Sequence, residues 1–292
     1  MKKNILFYHI IAIIIIAIWG VTFISTKILI NNGLTPHEIF LLRFIIAYTG
    51  MWFMSHHKLF ADSIKDELLL LAGGITGGSL YFLTENTALA HTLVTNVSFI
   101  VCTTPLLTTL LFIAADKSTH ASRRLITGSI VSLIGMGAVV YNGSFILKLS
   151  PIGDMLAFMA ALCWAFYSLI MKDLFNKYNT SFITRKIFFY GLLTILPAFL
   201  FIPWDFPLDK LSIPAVYGNL LFLGFIASLI CYAVWNVVLK HLGTVKATNY
   251  IYLNPLFTLT GSILILDEPF TIMAMIGSIL IITGMYIAAK TS

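Results

Sequence analysis

Continuous apolar stretches, separated by short polar connections, run the length of the chain. Ten can be delimited, at residues 5–28, 37–55, 68–89, 93–115, 123–141, 153–173, 181–202, 213–236, 244–266 and 270–288. Each approaches or exceeds the roughly 20 residues an α-helix needs to cross the hydrocarbon of a bilayer. They lack the period-two alternation of membrane strands, so a β-barrel does not fit. The longest polar connections, His56–Glu67 and Pro203–Pro214, leave no room for a soluble domain. The pattern predicts an all-α integral membrane protein with ten transmembrane helices.

Composition strengthens that expectation. The chain is 59% hydrophobic and 10% charged, against about 25% charged in an ordinary soluble domain. Its net charge of +6 does not point to nucleic acid, because the basic residues stand singly between apolar runs. Cys102, Cys163 and Cys231 lie in apolar stretches without metal-ligand spacing and read as core residues. Met-Lys-Lys followed by a long apolar run without a small-residue cleavage site reads as a retained first span.

Lysine and arginine placement predicts orientation. With a cytoplasmic N-terminus, all of the 18 basic residues fall on the inner side except Lys27, Arg43, Lys148 and Lys210. Both termini are then cytoplasmic.

The chain also repeats itself. Residues 86–108 align without a gap to residues 236–258 at an offset of 150, sharing Asn86/Asn236, Leu89/Leu239, His91/His241, Pro105/Pro255, Leu106/Leu256 and Thr108/Thr258. Trp19 and Lys27 pair with Trp164 and Lys172 at an offset of 145, and Gly128 and Gly135 pair with Gly277 and Gly284 at 149. Five spans per copy is an odd number, so the second copy enters the membrane from the opposite side. Two inverted five-helix repeats follow, residues 1–146 and 147–292, a plan common among secondary transporters.

Polar groups inside the spans are the candidates for chemistry. Glu85 lies within the third apolar run, where an unpartnered carboxylate costs several kcal/mol. Its readings are an ion pair with Arg43 or Lys27, a proton-coupling or substrate-binding role, or snorkelling toward water. Tyr81 precedes it by four residues and shares its helical face. Pro105 and Pro255 each free a carbonyl one turn earlier and act as kinks or hinges. Asn254, Thr103 and Thr104 add polarity beside them. The glycines of the third, fifth and tenth runs suit close helix packing, within the chain or between two copies in a homodimer. No HExxH, CxxC, GxSxG or P-loop occurs, so neither an enzyme nor a nucleotide-driven pump is indicated, and no cofactor or metal is assigned. Adjacency alone does not make His56–His57 a metal site.

Five segments carry a family resemblance: Ala17–Ile30, Leu42–Arg43–Phe44, Ala88–Leu111, Ala161–Leu174 and Tyr252–Phe270. In order and spacing they resemble the drug/metabolite transporter superfamily, in its prokaryotic EamA-type branch, over essentially the whole chain. The resemblance implies a multi-pass carrier of the bacterial inner membrane that exports amino acids or related small metabolites. It implies a central cavity formed by Trp19, Tyr81, Glu85, Phe99, Trp164, Trp235 and Tyr252, and a closing signature at Asn254–Pro255 and Asp267–Glu268–Pro269. The short four-helix relatives that export cations use a glutamate in their first helix. The first span here has no acidic residue, which favours a neutral or zwitterionic cargo. A flippase for lipids or lipid-linked sugars and a non-transporting membrane scaffold are the rival readings; the expected partners are a small-molecule substrate and membrane lipid.

Overall fold

A computed structural model describes residues 2–55, 58–115, 122–141, 150–266 and 272–289, with side chains for all of these but 2–4, 95, 136, 139–141, 262–266, 274 and 289. His56–His57, the expected repeat boundary at 146/147 and the Asp267–Glu268–Pro269 turn lie outside the described residues. Every regular element among the described residues is helical. In chain order these are α1 (Lys2–Asn31), α2 (Pro36–Met54), α3 (Ile64–His91), α4 (Val94–Val101), α5 (Thr104–Ala115) and α6 (Arg123–Tyr141). There follow α7 (Pro151–Leu174), α8 (Thr180–Phe201), α9 (Pro214–Leu242), the single turn α10 (Thr244–Thr248), α11 (Asn254–Leu266) and α12 (Ile272–Ala289).

Six helical stretches among the described residues are long and apolar enough to cross a membrane: Ile5–Asn31, Ile64–His91, Asn96–Ala115, Pro151–Leu174, Thr180–Phe201 and Pro214–Leu242. Large apolar side chains stand exposed along the outside, Phe53 at 77%, Phe201 at 86% and Leu200 at 82% among them. Isolated exposed apolar residues are ordinary on a soluble protein, but a continuous apolar exterior needs lipid around it. The chain is a multi-pass membrane protein.

Local sequence sets the helix ends. The amide of Thr35 donates to Glu38 Oε2 at 2.8 Å, and Pro36 opens α2 where no intrahelical N–H is required. Glu38 Oε1 also accepts the amides of Asp205 and Phe206 at 2.9 and 3.1 Å, so a fully buried carboxylate fastens the connection after α8 to the start of α2. Ser63 caps α3, its hydroxyl accepting from the Asp66 amide, and Asn179 caps α8 through Ser181. Gly243 ends α9 at φ +80°, a left-handed conformation that costs glycine no Cβ clash.

The 150-residue echo recurs in the packing. Asn86 Nδ2 donates to the Pro36 carbonyl at the start of α2, while Asn236 Nδ2 donates to Thr184 Oγ1 in the first turns of α8. α3 and α9 each contain a π-helical stretch, Ile75–Ser79 and Phe222–Ile230, at overlapping positions of the 150-residue register. The helices next to these stretches are exchanged. α2 packs on the π stretch of α9, where Gly224 admits Ile46, and α8 packs on that of α3, where Gly74 and Gly78 admit Tyr190 and Gly191. α6 and α12 form a further exchanged pair. Gly128 lies against the Gly284 carbonyl and Ala288, and Gly135 against Gly277 and Ile281. The glycine faces of α6 and α12 are therefore occupied within the chain.

Candidate functional site

α1, α2, α3, α4, α5, α7, α9, α11 and the 3₁₀ turn Asn249–Leu253 converge on one narrow cavity. Its lining comprises Trp19, Thr22 and Phe23 of α1, Arg43 of α2, Tyr81, Phe82 and Glu85 of α3, Val101 and Thr104 of α4 and α5, and Trp164 of α7. Ala227 and Tyr232 of α9, Ile251 of the 3₁₀ turn and Asn254 of α11 complete it.

Aromatic rings make a continuous wall. Trp164 meets Trp19 edge-on at 5.5 Å between ring centroids, Tyr81 at 4.9 Å, Tyr167 at 5.1 Å and Tyr232 at 5.6 Å. Such pairs contribute about 0.5–1.5 kcal/mol each beyond burial and hold ring orientation. Trp19 Nε1 donates to the Ala227 carbonyl at 3.1 Å, where the π-helical stretch of α9 loosens the usual bonding and leaves a carbonyl to accept. The hydroxyl of Tyr232 donates to the Gly77 carbonyl in the π stretch of α3 at 2.8 Å. Both irregular stretches thereby fasten the aromatic wall.

A carboxyl and a guanidinium, ionisable groups of opposite sign, line this space. Glu85 Oε1 accepts from Tyr81 OH at 3.0 Å. Arg43 Nε donates to Ser228 Oγ at 2.9 Å, with the guanidinium carbon 4.2 Å from the Phe82 ring centroid. They are not in direct ion-pair contact; the ion pairs among the described residues are Lys58–Asp62, Lys177–Asp66 and Lys186–Glu67. Two further polar atoms of the lining, Trp164 Nε1 and Asn254 Oδ1, are buried with no hydrogen-bond partner. Buried polar groups are nearly always paired, so unpaired ones gathered on a cavity wall mark places where a bound molecule can complete the bonding.

The profile of the EamA-like transporter family matches residues 6–141 and 151–289. The chain belongs to that family. The transporter is 26% identical over 283 residues to an Archaeoglobus fulgidus protein named as an uncharacterized transporter, covering 96% of each chain. It is 22% identical over 289 residues to an Escherichia coli protein named as a probable amino-acid metabolite efflux pump, covering 95% of this chain and 93% of that one. A solved crystal structure superposes with a TM-score of 0.73 at 16% identity, covering 98% of this chain and 99% of the other, and so shares the fold. Membership agrees with the resemblance to the drug/metabolite transporter superfamily carried by the sequence motifs.

Four of the seven residues expected in the transporter's cavity line it: Trp19, Tyr81, Glu85 and Trp164. The other three do not. Trp235 is fully buried behind Trp19, with ring centroids 5.2 Å apart, and supports the wall from outside. Tyr252 is fully buried in the 3₁₀ turn, whose neighbours Ile251 and Asn254 take the lining positions. Phe99 packs half-buried against the core from α4.

Glu85 makes no direct ion pair with Arg43 or Lys27 among the described residues, although Arg43 is near enough for the two charges to act on each other. Lys27 Nζ instead donates to the Leu89 carbonyl at 2.6 Å, because it sits one helical level beyond Glu85. Arg43 is held by Ser228 and Phe82.

Pro105 and Pro255 do fall at helix breaks, between α4 and α5 and between the 3₁₀ turn and α11. The carbonyls they free are already occupied: Thr104 Oγ1 donates to the Val101 carbonyl at 2.6 Å, and Cys102 Sγ to the Ile251 carbonyl at 3.2 Å. The prolines shape the cavity through the adjacent Thr104 and Asn254, and each of those two carbonyls already accepts one side-chain hydrogen bond.

Sequence reasoning missed Tyr232, Phe82, Thr22 and Ala227. Tyr232 carried a readable signal, since it precedes the repeat-matched Asn236 by four residues just as Phe82 precedes Asn86.

Proposed function

We propose that this transporter is a secondary carrier that exports amino acids or closely related zwitterionic metabolites across a bacterial inner membrane by alternating access. The observation that carries the cargo reading is the charge layout of the cavity. A guanidinium and a carboxylate line one aromatic space without pairing with each other. A zwitterion brings a carboxylate that suits Arg43 and an ammonium that suits Glu85. It leaves the cavity's net charge unchanged, which matters where an unbalanced charge costs several kcal/mol. Trp164 Nε1 and Asn254 Oδ1 add one donor and one acceptor, and the rings add apolar surface for a side chain. The relatives named as amino-acid metabolite efflux pumps support the same class.

The transport cycle in this reading uses ten transmembrane helices in two inverted five-helix repeats, with both termini cytoplasmic. α4 with α5, and α10 with α11, each count as one broken span. The matched asparagine tethers, the π stretches in register and the exchanged packing of α2 with α9 and α8 with α3 support it. So do the two stretches of the family match, one in each half. Inverted halves that exchange unequal conformations open a central site to either side in turn.

The test is counterflow in proteoliposomes with labelled neutral amino acids, purines and cationic amines, using wild-type protein beside Glu85→Gln. Saturable exchange of neutral amino acids, weakened in Glu85→Gln, is the expected result. Exchange of cationic amines alone contradicts the zwitterion reading. No exchange by folded protein turns the search to lipid-linked cargo.

A further inference from the structure

A second pocket, sharing no residue with the central cavity, lies between α2, α8 and the connection from α2 to α3. It is lined by Tyr48, Trp52, Leu59, Phe60, Phe189 and the adjacent cations Arg185 and Lys186. Both cations are deeply buried, at 2% and 3% exposure. Lys186 is neutralised by an ion pair with Glu67 and donates to the Leu59 carbonyl at 3.2 Å. Lys58, at the rim, is neutralised by Asp62 at 2.7 Å.

Arg185 makes no direct ion pair among the described residues, and Glu67, which acts on it from a distance, is already paired with Lys186. One terminal nitrogen donates to the Lys58 carbonyl; the other, Nη1, is buried and has no hydrogen-bond partner. The guanidinium carbon lies 5.4 Å from the Trp52 ring centroid and 5.6 Å from that of Phe182. Rings soften the burial of a cation, but they do not supply the acceptor that a free N–H requires. A built, buried cation with one unsatisfied donor is thus set beside the paired Lys186 in a pocket whose remaining walls are mostly aromatic and aliphatic.

We propose that this pocket binds the phosphate of an anionic membrane lipid, with Arg185 as its principal ligand. Guanidinium and phosphate match in charge and in planar, multi-donor geometry, which an ammonium cannot reproduce. The walls decide in favour of a lipid over a free aqueous anion. Trp52, Leu59, Phe60 and Phe189 are 40%, 51%, 70% and 39% exposed on a protein whose exterior faces acyl chains. They offer the glycerol and upper chain region a continuous apolar surface beside the charge. The site lies at the helix ends that carry Lys58, Lys65 and Lys177, the side to which the basic residues of the sequence assign the cytoplasm. Anionic headgroups are drawn to such basic, membrane-edge clusters.

The test uses the full chain in nanodiscs of phosphatidylcholine with and without phosphatidylglycerol, read by thermal unfolding and by retention of phosphatidylglycerol in native mass spectrometry. Wild-type protein is expected to be stabilised by, and to retain, phosphatidylglycerol over phosphatidylcholine. In Arg185→Gln that preference falls about tenfold or more, the loss of a charge-assisted contact. In Arg185→Lys, which keeps the charge but loses the planar fork, the preference is weakened and retained in part. The exposed Lys210→Gln, on the connection before α9 and outside the pocket lining, serves as control and keeps the preference. Equal behaviour of wild-type protein in the two lipid compositions overturns the proposal even if both Arg185 variants fail to fold. Saturable stabilisation by inorganic phosphate that also abolishes phosphatidylglycerol retention overturns the lipid assignment in favour of an aqueous anion.

Discussion

Gly77→Ala is a single-methyl change that reaches the aromatic wall through its backing. The added Cβ lies 2.6 Å from the Tyr232 hydroxyl and 2.7 Å from Tyr167 Cγ, with Tyr167 Cδ2 closer still. Ordinary contact needs about another ångström, so both rings must move. They are fully buried and packed against each other and Trp164, so that shift disturbs the ring stack that forms the wall. Overpacking of this kind costs about 1–3 kcal/mol. If Tyr232 swings away it also loses its bond to the Gly77 carbonyl, leaving a buried hydroxyl unpaired at about 1–3 kcal/mol. The higher helix propensity of alanine returns about 1 kcal/mol. The net expectation is roughly 1–5 kcal/mol of destabilisation, together with a higher KM for cargo, because Tyr232 lines the cavity. Thermal unfolding in detergent and counterflow in proteoliposomes measure the two effects. Gly218→Ala in α9, where an added Cβ meets nothing within 4 Å, provides the control and is expected to be neutral or slightly stabilising. Indistinguishable stability and KM in the two variants would refute the claim that the π stretch of α3 positions the cavity wall.

Three further outcomes follow from the same contacts. Gly128→Ala brings a Cβ to 2.5 Å from the Ala288 amide and closer to the Gly284 carbonyl, forcing α6 and α12 apart at about 1–3 kcal/mol, whereas Gly137→Ala on the same helix meets no atom within 4 Å and leaves the unfolding midpoint in place or raises it. Trp164→Phe removes the unpartnered Nε1 while keeping a ring in the wall, and is expected to raise cargo KM about tenfold with little change in unfolding midpoint. Hydrogen bonding to Asp66 raises the Lys177 pKa above its ordinary 10.5. The stability contributed by this pair is therefore complete only while both partners are charged, from above the ordinary carboxylate range to about pH 10.5, and is lost as pH rises through the raised value, so the gap between wild type and Lys177→Met is flat near neutrality and closes in strong alkali.

The parts of this fold that were readable in sequence are those where one residue type settles the matter. Pro105 and Pro255 fall at helix breaks, and Asn86 and Asn236 each donate to a neighbouring helix, one to the Pro36 carbonyl of α2 and the other to the Thr184 hydroxyl of α8. Tyr81 and Glu85, four residues apart, do share a face and a hydrogen bond. The glycines of α3 suit close helix packing by sequence, and they do meet two neighbouring helices, at Met171 and Tyr167 of α7 and at Ile187 and Tyr190 of α8.

What remained hidden depends on helix rotation. Trp19 and Trp235 are both tryptophans in apolar helices, yet one lines the cavity and the other stands behind it; the π stretches, which shift the facing of every later residue, carry no distinctive sequence signal. The separation of Glu85 from Arg43 has a related cause. Charge complementarity could nominate Arg43, but the competing attraction of Ser228 and the Phe82 ring exists only once α2 has docked on the π stretch of α9. Arg185 was likewise counted in the sequence only as an inner-side charge, and its burial beside Trp52 needed the packing of α8 on α2.

The central claim, that Arg43 and Glu85 hold the two ends of one zwitterion, is tested most directly by equilibrium binding to purified protein. The ligands are a neutral amino acid, its amide and its deaminated acid, each measured with wild-type protein, Arg43→Gln and Glu85→Gln. The account predicts that the wild type binds the amino acid in preference to both analogues. It predicts that Arg43→Gln no longer discriminates the amide from the amino acid, and that Glu85→Gln no longer discriminates the deaminated acid. Equal weakening of all three ligands in both folded variants, or wild-type binding indifferent to either charge, would contradict it.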